Sequence, residues 1–311
     1  MRVLVAGATG AMGRPLVRRL VAAGHEVTGT TRREERAEGI RAAGAAAAVC
    51  DVFDTEALGR AVAEARPEVV VHALTALPDR IDWKAKEDPI AATNRLRDEG
   101  TGNLVAAARA VGARRIVGES VAFFYEPSGG WIKDEDAALI TGAPGRSGKA
   151  VAALVALESQ ILDAEGIEGV VLRFGWFYGP GTSYASDRSQ AEEFRRRRFP
   201  IVGRGTGVFS FIHVEDVAAA TVAAVEGNAV GVFNVVDDEP APQHEWAPVY
   251  AEAVGAKKPW RVPLWLARLI AGPVARSAVE LRGASNARAK RELGWEPRYS
   301  SWRQGFRDAL G

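Results

Sequence analysis

The sequence holds a single cysteine, Cys50, so no internal disulfide can form, and a reducing compartment suits the chain. It has almost no net charge: 40 Lys and Arg stand against 39 Asp and Glu, a formal +1 at pH 7. No overall field draws the protein to nucleic acid or to an anionic membrane, and neither is expected as a partner. Histidine is scarce, and His25, His72, His213 and His244 are scattered without ligand spacing, so no metal site is expected. Long apolar runs are missing too. The alanine-rich stretch near residue 45 is short and leads into Cys50-Asp51, as a helix end entering a strand does. Met1-Arg2 runs into VLVAGATG without the apolar core and cleavage site of a signal peptide, and the expected location is cytoplasmic.

What is present is the composition of a globular protein: 311 residues, 47% hydrophobic and 25% charged, with 33 Gly and 15 Pro. That length is ample for a sizeable core. Short apolar runs at 3–6, 27–30, 46–50, 69–73, 115–118 and 170–174 alternate with helical patterns at 14–23, 34–43, 55–65, 94–111 and 149–165. Alternating β and α units predict an α/β fold, a doubly wound parallel (Rossmann) sheet covered on both faces. After Phe174 the rhythm changes, and Trp246, Trp260, Trp265, Trp295 and Trp302 crowd the last quarter. The expected division is a dinucleotide-binding domain over 1–175 and a smaller C-terminal substrate-binding lobe over 176–311. Segment 214–235 is a candidate to return to the main sheet. The Arg195–Arg198 run adjoins Glu192 and Glu193 and reads as a solvated helix face or loop.

The first strand and helix enclose GATGAMG, with Gly7, Gly10 and Gly13 at the turn. A pyrophosphate needs backbone N–H groups at close range, and glycines together with a helix N-terminus provide them. Thr9, Ala11 and Met12 complete the loop. At the end of the second strand, where an NAD site carries Asp or Glu for the ribose 2′-OH, this chain has Thr31, Arg32 and Arg33. A carboxylate would repel a 2′-phosphate, whereas guanidinium groups pair with it, so NADP(H) is expected over NAD(H). The blander alternative is that both arginines only begin a solvated helix.

These motifs, with Asp51-Val52, VVVHALTAL, EGTGNLVAAARAVGARRIV, LRFGWFYGPGT, FSFIHVEDVAAA, GVFNVVDDE and LGWEPRYS, resemble the extended short-chain dehydrogenase/reductase family, which includes the NAD-dependent epimerases and dehydratases. The resemblance covers nearly the whole chain. It implies that Asp51 and Val52 flank the adenine and that Ala73, Leu74 and Thr75 run beside the ribose and phosphates. It also implies that helices over 94–112 and 146–166 pair in a homodimer.

The family works with a Ser or Thr and a Tyr-x-x-x-Lys pair, whose ammonium lowers the pKa of the phenol. This chain departs from that pattern. Val121 stands at the serine position, with Ser120 beside it on the opposite face of an extended strand. One register of the next helix puts Gly145 at the tyrosine and Lys149 at the lysine. The other, set by Glu158, puts Ala150 and Leu154 there. Tyr178 in FYGPGT is the first substitute proton donor, with Lys149 and Ser120 beside it in the candidate catalytic set. Tyr125 and Tyr184 are weaker choices. Packing roles are the alternative for Tyr178, as for His72 and His213, and Asp216 is expected to cap the helix beginning at Val217. The family's diphosphate-binding arginine is replaced by Phe209, and with Trp176 and Phe177 nearby the pocket suits a partly apolar molecule.

Three functions remain open on the sequence: an atypical NADP(H)-dependent oxidoreductase acting on a carbonyl, alcohol or imine of a small molecule; a sugar-nucleotide epimerase or dehydratase; and a non-catalytic NADP(H)-binding sensor.

Overall fold

In a computed structural model, which describes residues 1–80 and 85–310, seven parallel strands form one sheet. They are β1 (Arg2–Ala6), β2 (Glu26–Thr31), β3 (Ala46–Val49), β4 (Val69–His72), β5 (Arg115–Val121), β6 (Glu168–Phe174) and β7 (Gly231–Val235). Their order across the sheet is β7-β6-β5-β4-β1-β2-β3, so the direction of progression reverses at β1. That reversal leaves a crevice at the carboxyl ends of β1 and β4, the place where open α/β sheets bind ligands.

Central strands buried on both faces must be apolar throughout, which is why VLVA, VVV and VVL recur here. On one face Val3, Val5, Val71 and Leu172 pack under α1 (Gly13–Ala22) and α8 (Val214–Glu226). On the other, Leu4, Val70, Ile116 and Val171 meet α3 (Thr55–Ala65), α5 (Thr101–Ala110) and α6 (Gly145–Leu162). Strand β7 pairs in register with β6, from Gly231 beside Val170 to Val235 beside Phe174, so 214–235 belongs to the sheet layer.

The chain leaves the sheet at Gly175, where a Cβ would lie 2.4 Å from the Ser210 carbonyl oxygen. Beyond it, Trp176–Tyr178 pairs with Phe211–His213, and an aromatic core gathers Tyr178, Tyr184, Phe211, Trp246, Tyr250 and Phe306. Tyr184 is thus a core residue. Asp216 differs from its expected role as well. His213 caps α8 by accepting the Glu215 N–H, while the buried Asp216 carboxylate holds the N–H groups of Arg298 and Tyr299 at 2.9 and 3.0 Å, tying the C-terminal segment to the sheet layer. Among the described residues, no helix is long and apolar enough to cross a membrane.

Candidate functional site

The glycine loop is built for close approach. Gly7 has φ +96°, and a Cβ there would lie 2.2 Å from the Ala73 carbonyl oxygen, because the chain leaving β1 passes directly against the chain leaving β4. A Cβ on Gly13 would lie 2.2 Å from the Gly7 carbonyl oxygen. Gly10 is different: its Cβ would meet only the Gly7 oxygen, at 3.4 Å, and otherwise points into open space. Two glycines therefore serve the protein's own packing, and the third keeps the mouth of the cradle clear. Thr9, Gly10 and Ala11 line that mouth with some exposure, while Met12 is buried beneath it. The loop fits a dinucleotide pyrophosphate at the start of α1.

At the end of β2, the buried Thr31 hydroxyl accepts the Arg33 N–H at 3.3 Å and fixes the turn. Arg32 and Arg33 are exposed, and among the described residues neither makes an ion pair. Beside them lies a cavity of about 380 Å³ between α1 and α2 (Glu34–Ala42), lined by Thr9, Arg14 and Arg36 together with Glu35. Across β3, the Asp51 carboxylate accepts the Phe53 N–H at 3.0 Å, and the Val52 carbonyl is held by the Asn103 amide, also at 3.0 Å. The loop after β4 begins with the Ala73 N–H on the Ala6 carbonyl at 2.8 Å. Leu74 is half-buried, Thr75 is exposed, and the Thr93 hydroxyl accepts the N–H of Ala76.

At the other end of the cleft, alternate residues at the end of β5 differ in access. Gly118, Ser120 and Ala122 are buried, while Glu119 and Val121 are half-buried. Ser120 is therefore set apart from the cleft: its hydroxyl donates to Glu158 at 2.6 Å. Glu158 is also gripped by Arg173 through Nε at 2.8 Å and Nη2 at 2.6 Å, in a buried network that continues to Tyr125 and Asn234. A buried carboxylate is tolerated when a bidentate arginine and a hydroxyl satisfy it.

Glu158 also fixes which side of α6 faces inward. Leu154 and Ala150, one and two turns earlier, are 1% and 2% exposed, whereas Lys149 is exposed. The positions that look toward the sheet carry a methyl and an isobutyl group, with no hydroxyl or ammonium. Lys149 lies outside that face.

Tyr178 is displaced as well. It is 0% exposed, its hydroxyl has no hydrogen-bond partner, and a Cβ on Gly305 would sit 2.0 Å from that oxygen. Burial and the nearby Asp237 and Asp216 push its pKa up. It packs edge-on against Phe306 and His213 as part of the lobe's core, sealed from any substrate. The expectation of a proton donor at Tyr178 fails because the C-terminal helix Trp302–Asp308 closes over the ring, and nothing in FYGPGT announces that contact.

Of the expected apolar wall, Trp176 and Phe209 come together at 5.7 Å between ring centroids, and Phe123 stacks on Trp176 at 4.4 Å. Phe177, on the other face of its strand, packs against Phe174. Trp176 is half-buried, and its indole N–H is enclosed without a partner.

Three groups went unnoticed in the sequence: Phe123, Glu119 and Arg97. Arg97 lies in a π-helical turn, Leu96–Gly100, between α4 (Ala91–Arg95) and α5, and is only 8% exposed. Burial pushes its pKa down, and Glu119 is the charge that opposes this. Burial raises Glu119 to about 7, with Arg97 pulling the other way. His72, at the end of β4, is held near 4 by burial and is neutral; its Nε2 meets the Thr101 hydroxyl at 3.1 Å, and Nδ1 has no partner. A lone acid inside RIVGESV was the available signal for Glu119. Arg97, among Arg95, Asp98 and Glu99, reads as a solvated face and gave none.

Known proteins share this architecture. The model of the NAD dependent epimerase/dehydratase family matches residues 3–235. A 3-diazoavenalumate denitrifying reductase of a Streptomyces species is 46% identical over 98% of this chain and 99% of its own. A UDP-glucose 4-epimerase of Mycolicibacterium smegmatis is 32% identical over 96% of this chain and 94% of its own. Among solved structures, the UDP-glucose 4-epimerase of Thermotoga maritima with UDP-glucose superposes with TM-score 0.78 at 21% identity, covering 100% of this chain and 97% of that one. The Thermus thermophilus UDP-glucose 4-epimerase complex with NAD gives 0.75 at 25% identity, covering 100% and 98%. With a glycine cradle that fits a nicotinamide dinucleotide, the chain belongs to the NAD-dependent epimerase/dehydratase family, as an NAD(P)-dependent oxidoreductase of the extended short-chain dehydrogenase/reductase type.

Proposed function

We propose that the protein is an NADPH-dependent reductase that removes dinitrogen from a diazo group on a flat aromatic molecule. The observation that carries this reading is the apolar inner face of α6: Ala150 and Leu154, together with Val121 on β5, leave no proton relay where the family has one. Reduction of a carbonyl needs both a hydride and a proton. An aryl diazonium group takes a hydride, loses N2 and becomes the arene, with two electrons transferred and no proton required, and the bound nicotinamide supplies that hydride. The loss of the tyrosine and lysine removes nothing that this reaction uses. The reductase relative, named for a diazo substrate and 46% identical over almost the full length, supports the same reading.

The residues divide the work. Gly7, Thr9, Gly10, Ala11, Met12 and Gly13 hold the pyrophosphate, Asp51 and Val52 flank the adenine, and Ala73, Leu74 and Thr75 carry the chain past the ribose. Arg32 and Arg33, with Arg36 across the neighbouring cavity, hold the 2′-phosphate. Phe123, Trp176 and Phe209 stack against the aromatic substrate and exclude water from the hydride's path. Phe209 supplies a ring where a sugar diphosphate would need an arginine, which disfavours an epimerase. We also propose a homodimer through the outer faces of α5 and α6, where Val155 and Leu162 are 38% and 37% exposed.

Incubation with NADPH and an ortho-diazonium phenolate tests the reaction, following nicotinamide absorbance and 15N-labelled dinitrogen together. One N2 released per NADPH oxidised is the expected result. NADPH oxidation with aldehydes or ketones and no N2 from the diazo compound would overturn it. The Arg32→Asp, Arg33→Ala double variant should bind NADPH about 100-fold more weakly while NADH is little affected, because two charge-assisted pairs are lost. Equal weakening of both coenzymes would remove the 2′-phosphate assignment.

A further inference from the structure

The helix Leu264–Ala271 in the C-terminal lobe is apolar on the side it turns to water. Its Ala267 is buried in a small cluster with Val202, Val262, Leu264 and Leu266, yet Trp265, Leu269 and Ile270 are 66%, 76% and 62% exposed. Arg268 is the single polar residue of the helix. Trp260 before it and Val274 in the following helix, Pro273–Glu280, are exposed as well. A surface helix ordinarily presents charged and polar groups to solvent. An outer face of Trp, Leu and Ile marks a place that another apolar surface covers.

Cations gather at the same end of the lobe. From 253 to 279 the chain carries Lys257, Lys258, Arg261, Arg268 and Arg276 and no acid. The Arg195–Arg198 run is brought to them. Arg195 donates from Nε to the Val254 carbonyl at 2.9 Å, the Trp260 indole donates to the Arg197 carbonyl at 3.1 Å, and Ile201–Val202 pairs in parallel with Arg261–Val262. Arg196 is paired with Glu192, and Arg276 with Glu280. Arg197, Arg198, Lys257, Lys258, Arg261 and Arg268 are exposed and make no ion pair among the described residues. Glu252, just before this stretch, is exposed as well. The net charge of +1 averages this end of the molecule away, but an exposed charge acts only over ~8 Å at physiological salt, so a docked surface feels the local cluster. We propose that this end of the protein docks on an anionic lipid surface. Trp265, Leu269 and Ile270 enter the headgroup region, and the six unpaired cations meet lipid phosphates. Tryptophan suits that boundary, with an apolar ring and an N–H that keeps contact with water. A second copy of the chain fits the face poorly, because it would bring like charges together. A nucleic acid could stack on the tryptophans, but it has no use for Leu269 and Ile270.

Sedimentation with large unilamellar vesicles of phosphatidylcholine, alone or with about 30% phosphatidylglycerol, tests the docking without any use of turnover. Binding to the anionic vesicles should be at least about tenfold tighter than to the neutral ones, and should weaken about tenfold between ~0.05 and ~0.5 M salt. Acyl chains carrying bromine should quench the tryptophan emission of the bound protein. The Leu269→Glu, Ile270→Glu double variant and the Lys257→Gln, Lys258→Gln double variant should each bind at least about tenfold more weakly. Both should keep the wild-type melting temperature, because all four side chains are exposed. Trp265→Leu should still bind, with weaker quenching. Equal binding to neutral and anionic vesicles, no binding to either, or binding that survives in the Leu269→Glu, Ile270→Glu variant would overturn the proposal. Affinity for polyglutamate or for a single-stranded oligonucleotide equal to that for anionic vesicles would assign the face to an acidic protein or a nucleic acid, and would overturn the lipid reading too.

Discussion

Replacing Glu119 with glutamine should stabilise the protein in alkali and leave it unchanged in acid. The carboxyl titrates near 7 in the folded chain against an ordinary 4.5, because the end of β5 buries it and only Arg97 opposes the effect. The neighbouring His72, from β4, is neutral across this range and adds no charge. Between those two pH values the folded state keeps a proton that the unfolded chain has already released. Stability therefore falls as pH rises through that window, and the full cost is present above about pH 7. A gap of about 2.5 pH units corresponds to ~3 kcal/mol at most. Glu119 as a whole residue is half-buried, and discounting for screening leaves about 1–2 kcal/mol. For a chain of this length that amounts to a rise of ~2–3 °C in Tm at about pH 8, with no difference at about pH 4. Thermal unfolding of the coenzyme-free protein and the variant at both pH values reads the effect. A variant whose Tm shift is the same at both values, or negative at the higher one, would show that Glu119 does not sit where β5 places it.

The glycine loop separates packing from binding. Gly10→Ala should leave the melting temperature within about 1 °C while weakening NADPH binding at least about tenfold, because its Cβ enters only the cradle. Gly7→Ala should cost several kcal/mol, roughly 3 or more, measured by urea unfolding, since a Cβ would overlap the Ala73 carbonyl on a backbone with φ +96°. If Gly10→Ala keeps full affinity, the pyrophosphate does not lie over that turn. Tyr178→Phe should keep turnover and match or slightly exceed wild-type stability, by up to ~1 kcal/mol, because the hydroxyl it removes is buried without a partner. A tenfold drop in kcat would return Tyr178 to the catalytic list.

The parts of the site that were legible in the sequence are those where backbone geometry dictates residue type. Gly7 and Gly13 must be glycine because a neighbouring carbonyl oxygen occupies the place of a Cβ, and the strand-turn-helix pattern around them says where that happens. The alternating apolar runs give the sheet because a central parallel strand has no polar side. Side-chain destinations decided by a distant segment were not legible. Tyr178 looks exposed in FYGPGT until the helix holding Gly305, more than a hundred residues later, comes down on its ring. The choice between Gly145/Lys149 and Ala150/Leu154 on α6 could not be made from the spacing alone. In the structure Glu158 is bonded by Arg173 from the neighbouring strand, and Ala150 and Leu154 are buried on the same side of the helix. With that rotation, the inward face at Ala150 and Leu154 carries only apolar groups. Such a face cannot pass a proton as a tyrosine and lysine pair does, and the proposed reductive loss of N2, which needs a hydride and no proton, does not ask it to.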